Sequence, residues 1–281
     1  MAGDIKSTSS LAKGIMYFIV IIFTVLALYP IYWLIIQSFK TTQEYMTTSK
    51  LALPKNWYTR NYPWAWINGK FTLLFINSVF YTAITVFFII ILSFMAGFAF
   101  AKLPSKLTPW LHGSFIIGIL LTLQSILVPL FLMINAINLY NTRLGVLIPY
   151  IGLGLPMSVY LASAYMKSIP ESILESARMD GAVYFRIFLS IIMPMSAPVA
   201  ATVAIISTTG VWNEFVVINI LVSDDRLKSL PIGINRFSGA LAADYGKQFS
   251  ALVIGMVPMV VFYIIFRKQI TKGVSAGAVK G

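Results

Sequence analysis

Cysteine is absent from the chain, which excludes a disulfide, a thiolate nucleophile and a Cys-ligated metal, and leaves the redox compartment open. Histidine occurs once, at His112, and no carboxylates cluster in the apolar stretches, so a metal centre has no ligand set. Charge is scarce: 11% of residues are Asp, Glu, Lys or Arg, against about 25% in an ordinary soluble domain. No G-x-x-x-x-G-K-[ST] string occurs, so the chain has no P-loop with which to hold ATP. Hydrophobic residues make up 58% of the 281 positions, and mean hydropathy is +0.84. A soluble globule of this length needs more polar surface, so a soluble enzyme, a disordered tail and a fibrous repeat are all excluded. The net charge is +12. The basic residues lie between apolar runs, which makes anionic lipid headgroups a better partner than nucleic acid.

Six uncharged runs dominate what remains. They cover 15–36, 71–101, 107–142, 144–166, 187–213 and 248–266, with lengths of 22, 31, 36, 23, 27 and 19 residues. A helix rising about 1.5 Å per residue crosses a hydrocarbon layer of about 30 Å in roughly 20 residues. Each run is long enough to span, and helices are required because lipid offers no partner to unpaired backbone groups. The second and third runs exceed the need, so they are expected to tilt or project beyond the bilayer. The first run is expected to be a retained helix, since it is longer than the apolar region of a signal peptide and no small-x-small site follows it. Charge counting does not orient the bundle. With six spans, 11 Lys and Arg fall on the side of the termini and 10 on the other.

The segments between the runs differ in character. Residues 37–70 hold Trp57, Tyr58, Tyr62, Trp64 and Trp66, which read as an interfacial aromatic belt or as a docking surface. His112 beside Trp110 reads as an interfacial histidine. Residues 167–186 read KSIPESILESARMDGAVYFR. Ser168 and Glu171 form an S-x-x-E capping box, which predicts a helix start with Pro170 in its first turn. Ile173, Leu174 and Ala177 share one face, and Asp180-Gly181 signals a turn in which glycine takes positive φ. Pro194 and Pro198 then interrupt the fifth run. A short amphipathic helix, a glycine hinge and a spanning helix are thus expected in order. Its acidic residues, Glu171, Glu175 and Asp180, suit a protein partner better than an anionic lipid surface.

The string Glu175-Ser176-Ala177, three residues, Gly181, nine residues, Ile191-Ile192-Met193-Pro194 resembles the EAA loop of ABC-importer permeases, written E-A-A-x3-G-x9-I-x-L-P. Ser176 replaces Ala and Met193 replaces Leu, and the spacing is intact. Ser38-Phe39-Lys40, Asn77-Ser78, Trp212-Asn213-Glu214-Phe215 and the ending Gly277-Ala278-Val279-Lys280-Gly281 resemble the carbohydrate-importing branch, the maltose-type inner-membrane permease subunits. The resemblance covers nearly the whole chain.

It implies an all-α integral membrane protein of six transmembrane helices with the type I (MetI-like) permease core of ABC importers. The expected divisions are 1–70 (first helix and aromatic outer segment), 71–267 (core, with the EAA loop at 167–194) and 268–281 (cytoplasmic tail). The implied function is the membrane-spanning subunit of an ATP-driven, binding-protein-dependent sugar or oligosaccharide importer. The chain itself would be no enzyme and hold no cofactor, because ATP and Mg would be bound by partner ATPase subunits. Implied partners are a second homologous permease subunit, an ATPase dimer, an extracytoplasmic sugar-binding protein and lipid, with no nucleic acid. The implied place is the cytoplasmic membrane, multi-pass, with both termini in the cytoplasm.

By the same resemblance, Glu171, Leu174, Glu175, Ser176, Ala177, Met179, Asp180 and Gly181 form the coupling segment to the ATPase. Glu175 would make a charged contact there, Ala177 would allow close approach and Gly181 would act as the hinge. Gly277, Ala278, Val279, Lys280 and Gly281 would form a flexible tail reaching between the ATPase subunits. Gln124, Asn213 and Glu214 are candidates for the translocation pathway. The alternative for Glu214 is a carboxylate solvated at headgroup level, and for the third run's polar residues it is hydrogen bonding between helices. Gly273-Val274-Ser275-Ala276-Gly277 matches the G-x-S-x-G elbow of hydrolases, but no Asp or His follows it to complete a triad. An energy-independent channel or secondary transporter is the alternative function; such proteins often carry internal repeats and broken helices.

Overall fold

Apolar runs buried in lipid fold as helices because each backbone group must then be satisfied within its own segment. The computed structural model describes residues 10–103, 105–235 and 244–278, and no strand occurs among the described residues. The helices are α1 (Ser10–Ser38), α2 (Thr42–Thr47), α3 (Asn61–Asn68), α4 (Phe71–Lys102), α5 (Thr108–Leu120), α6 (Leu123–Ala136) and α7 (Arg143–Lys167). They continue with α8 (Glu171–Met179), α9 (Tyr184–Met195), α10 (Ala197–Trp212), α11 (Val216–Leu221), α12 (Leu230–Asn235) and α13 (Tyr245–Ala278).

Residues Lys13–Ser38 of α1, all of α4 and α7, and Tyr245–Arg267 of α13 are each long and apolar enough to cross a membrane. The pairs α5–α6 and α9–α10 pass the same test jointly but bend, by 109° and 75°. Taking each bent pair as one span gives six, the number expected from the uncharged runs. The third run therefore neither tilts nor projects as one rod, but breaks at Leu121 and Thr122, both extended. The cause is local side-chain competition with the helix ladder. Thr122 O accepts from Ser125 N and Oγ, and the two hydroxyls lie 2.7 Å apart.

The fifth run breaks where its prolines predict. Pro194 has no N–H to give to the turn before it, and α9 relaxes into a π-helical turn over Phe188–Ile192, with Met193 N–H reaching Phe188 O. Ser196 sits fully buried at the joint, and Pro198 opens α10.

The chain divides into two compact units. The first comprises residues 1–69 and 236–256. Its centre is Asn61, which donates to the carbonyls of Ser38 and Lys40 at 2.8 and 2.9 Å while its own carbonyl accepts from Ser250 Oγ. Trp33 packs edge-on against Phe249, and Trp57 against Phe39. Trp57, Tyr58, Trp64 and Trp66 keep large exposed faces, whereas Tyr62 turns inward to share a 2.6 Å hydrogen bond with Ser38. Lys40 is completely buried, with Nζ donating to Ser49 O at 3.3 Å. Burial pulls its pKa below the ordinary lysine value; Glu44 opposes this and Lys50 adds to it.

The second unit comprises residues 70–235 and 257–281. Its most extensive helix pair is α4 with α7. Lipid supplies no hydrophobic drive between helices, so close approach of small residues has to do so. At Gly97 a Cβ would come within 2.8 Å of Ala162 Cβ and 3.0 Å of Ser163 N, which is why glycine stands there. Two buried clusters follow. One gathers Phe94, Phe98, Met166, Leu174, Ile187 and Ile192, and the other Tyr81, Tyr150, Val217 and Leu221.

Candidate functional site

The segment 167–194 builds its geometry from its sequence. α7 ends at Lys167, and Ser168 closes that helix, its Oγ donating to Tyr165 O at 2.7 Å. The expected capping box does not form. Pro170 occupies the N-cap of α8, and Glu171 turns away from the helix start to pair with Lys102 at 2.9 Å. The ion pair wins because the Lys102 ammonium is buried and needs an acceptor.

The far end of α8 follows the sequence closely. Gly181 has φ +79°. Its N–H reaches Arg178 O at 2.9 Å, and Ala182 N–H reaches Ala177 O at 3.0 Å. This pair of bonds is a Schellman ending, for which glycine is the low-cost residue. Ala182 then packs on the same cluster as Leu174 and Ala177.

The two faces of α8 are unequal. Leu174 and Ala177 are buried against α4, α7 and α9 residues of this chain. Ala177, expected to allow a partner's close approach, is spent on the chain's own core instead, because small and apolar side chains complete that packing. The face left open carries Glu175, Ser176, Met179 and Asp180, and Met179 is 88% exposed. An exposed methionine on a short polar helix is an apolar anchor without a cover. Val183, Tyr184 and Phe185 continue the exposed surface, with Arg178 stacked over Tyr184 at 4.7 Å.

The pathway candidates are not brought together. Gln124 lies exposed at the head of α6. Asn213 donates back to Thr209 O, as a helix-end residue does. Glu214 turns inward. It accepts from Val217 N at 2.7 Å and Ile218 N at 3.3 Å, and Tyr150 OH donates to it at 2.7 Å. Its carboxylate thus anchors the positive end of α11 to α7.

His112 also faces inward: Nε2 lies 3.0 Å from Ser163 Oγ and the ring packs on Phe100. Trp110 beside it is 81% exposed, so of the expected interfacial pair only the tryptophan points out. Among the described residues no group of His, Cys, Asp and Glu could hold a metal.

Three structural contacts escaped sequence reasoning. Lys102 closes an uncharged run and was legible only as a charge. Asn77 donates to the carbonyls of Arg226 and Lys228 and accepts from Arg143, and Tyr81 OH donates to Leu227 O, so the loop 223–229 is strapped to α4. Asn141, at φ +59°, accepts from Ser223 N and Asp224 N. Polar residues near the start of a span were the available signal. In that loop, side-chain and backbone hydrogen bonds from Arg226 hold the Asp224 carboxyl below its usual pKa.

The tail differs from expectation in backbone form. α13 remains helical through Gly277 and Ala278, where a flexible peptide was expected; no proline after Pro258 interrupts its hydrogen-bond ladder. Val279, Lys280 and Gly281 lie outside the described residues.

With six spans, a capped helix between the fourth and fifth, and no nucleotide loop in place, comparison with known proteins is decisive. Residues 2–275 match the model of the binding-protein-dependent transport system inner membrane component family. The chain belongs to this family. Its relatives include the ABC transporter permease protein ORF2 of Caldicellulosiruptor sp. (strain Rt8B.4), 34% identical over 94% of this chain and 96% of the relative. The diacetylchitobiose uptake system permease protein NgcG of Streptomyces coelicolor is 29% identical over 94% and 88%. A bacterial ABC transporter involved in the import of the acidic polysaccharide alginate has a chain of the same fold. Its TM-score is 0.82 at 20% identity, covering 95% of this chain and 99% of that one. This family member is a membrane-embedded transport subunit.

Proposed function

We propose that the chain is the permease subunit of a sugar importer, and that α8 is the cytoplasmic helix on which a separate ATPase docks. One observation carries this reading: α8 buries Leu174 and Ala177 in its own subunit while holding Glu175, Ser176, Met179 and Asp180 outward between two crossing segments. A helix fixed on one side and open on the other is built to receive a partner. Placing α8 in the cytoplasm puts both termini there. The sugar class rests on the relative that takes up diacetylchitobiose and on the resemblance of residues 38–40, 77–78 and 212–215 to the carbohydrate branch.

In this mechanism ATP and Mg bind to the ATPase subunits and supply the energy. The permease contributes docking and motion. Closure of the ATPase dimer displaces α8, and the displacement reaches α4 and α7 through the cluster of Phe98, Met166, Ile169 and Leu174. The bundle, paired with a second permease subunit, then opens outward to a loaded binding protein. The partner must bind α8 differently in its two nucleotide states, or carry it bodily, for any work to be done.

The test is purification of the tagged chain in mild detergent with its co-expressed partners. An ATPase should accompany it. Glu175→Ala should remain in the membrane but release the ATPase or uncouple hydrolysis from uptake. A chain that purifies alone, with no ATPase, would favour the second reading, an energy-independent carrier, which the two bent spans would also suit.

A further inference from the structure

Lys102 is the last residue of α4 and directly follows a 31-residue uncharged run. A lysine there would ordinarily reach out to water or headgroups. Instead its side chain is only 2% exposed. The ammonium donates to Ile169 O at 2.6 Å and to Glu171 Oε1 at 2.9 Å. Ile169 lies in the three-residue link between α7 and α8, and Glu171 is the first residue of α8. One buried cation therefore grips both the link and the start of the docking helix.

Apolar contact already holds the inner face of α8 through Leu174 and Ala177. Such contact resists rolling, but it is non-directional and fixes no position along the helix axis. Charge-assisted hydrogen bonds have a fixed length and direction. We propose that Lys102 is a positioning residue that locks α8 to the end of α4, so that the two move as one body. The proposal rests on the reading of α8 as a docking helix. A push on the exposed face of α8 then passes straight into α4, instead of only through the link to α7 or across the Gly181 hinge. Glu171 keeps 62% of its side chain exposed, so the lock is closed from the outside without burying a second charge.

The chain has no cysteine, so a pair of spin labels can be placed without removing native thiols. Phe87 on α4 and Ser172 on α8 are both exposed and suit Phe87→Cys and Ser172→Cys, and Ser172 lies outside the strip of Glu175, Ser176, Met179 and Asp180. The labelled subunit, purified with its ATPase, is reconstituted in phosphatidylethanolamine–phosphatidylglycerol liposomes. Inter-label distances are measured without nucleotide and with Mg-ATP plus vanadate. The expected result is one narrow distance peak that nucleotide does not shift. Lys102→Met should lose that peak, and Lys102→Arg should restore it. Glu171→Ala opens no cavity and should also lose the peak, which separates the lock from simple misfolding.

A narrow peak retained in both Lys102→Met and Glu171→Ala overturns the proposal. So does a peak in the unmodified lock that shifts on adding nucleotide, because α8 would then move independently of α4. If no ATPase accompanies the unmodified subunit, the docking reading fails instead. The nucleotide-free peak widths of the variants still decide whether Lys102 fixes α8.

Discussion

Gly181 offers a clean test of the α8 ending because nothing surrounds it. A Cβ built there meets no atom within 4 Å, so substitution carries no packing penalty. The whole cost is the backbone, held at φ +79°. An L-residue forced into the left-handed region costs about 1–2 kcal/mol, and a β-branched side chain sits at the upper end of that range. Gly181→Val should therefore weaken the local closure by about 2 kcal/mol, or roughly thirty-fold in the opening equilibrium. Two amides report it directly: that of residue 181, bonded to Arg178 O, and that of Ala182, bonded to Ala177 O. Hydrogen-exchange mass spectrometry on peptides spanning 171–187 should show both exchanging faster in Gly181→Val by about that factor. Gly181→Asn should stay close to the parent, because asparagine visits positive φ at small cost. Equal acceleration in the Asn and Val variants would refute the argument, since it would mean that the missing side chain, not the dihedral, matters.

Other outcomes follow from the same structure. Gly97→Val should lower the thermal midpoint of the solubilised subunit, since overpacking costs about 1–3 kcal/mol. Gly152→Ala, with nothing within 4 Å, should leave it unchanged or higher, and equal loss in both would contradict the close approach of α4 and α7. Tyr150→Phe should destabilise less than Glu214→Ala, because Glu214 also accepts from the N–H groups that open α11; the reverse order in thermal midpoints would count against that anchoring role.

Asp244 supplies a pH prediction. Burial works against its ionised form, but the Lys247 and Thr42 hydrogen bonds prevail and hold its pKa below the ordinary carboxylate value. Its stabilisation is therefore complete at neutral pH and is lost as pH falls through that depressed value. Asp244→Asn should be less stable than the parent at pH 7. The gap should close only in acid, and a gap that widens there would overturn the assignment.

Much of the fold was legible because lipid leaves an apolar run few options. Each of the six runs contains a helix or a bent pair of helices, and Pro194, Pro198 and Gly181 mark the joint and the turn where they stand. The break at Thr122 was not foreseen, because the Thr122–Ser125 contact is a local competition that hydropathy does not register. At the site, the motif residues located α8, yet which of them face inward depended on tertiary packing. Leu174 was named with the docking set although its side chain is wholly buried. Ser168 and Glu171 formed a credible capping box on paper; Lys102, 69 positions from Glu171, outbid the helix start from a distance in sequence that no local pattern spans.

The unequal faces of α8 limit how it can be addressed. Rolling the helix about its axis would pull Leu174 out of the core, so a visitor always meets the same narrow strip of Glu175, Ser176, Met179 and Asp180. A strip that small can be rewritten by a handful of codon changes without disturbing the inner packing. On the proposed docking reading, which ATPase this subunit pairs with is thereby separable from how the subunit is built.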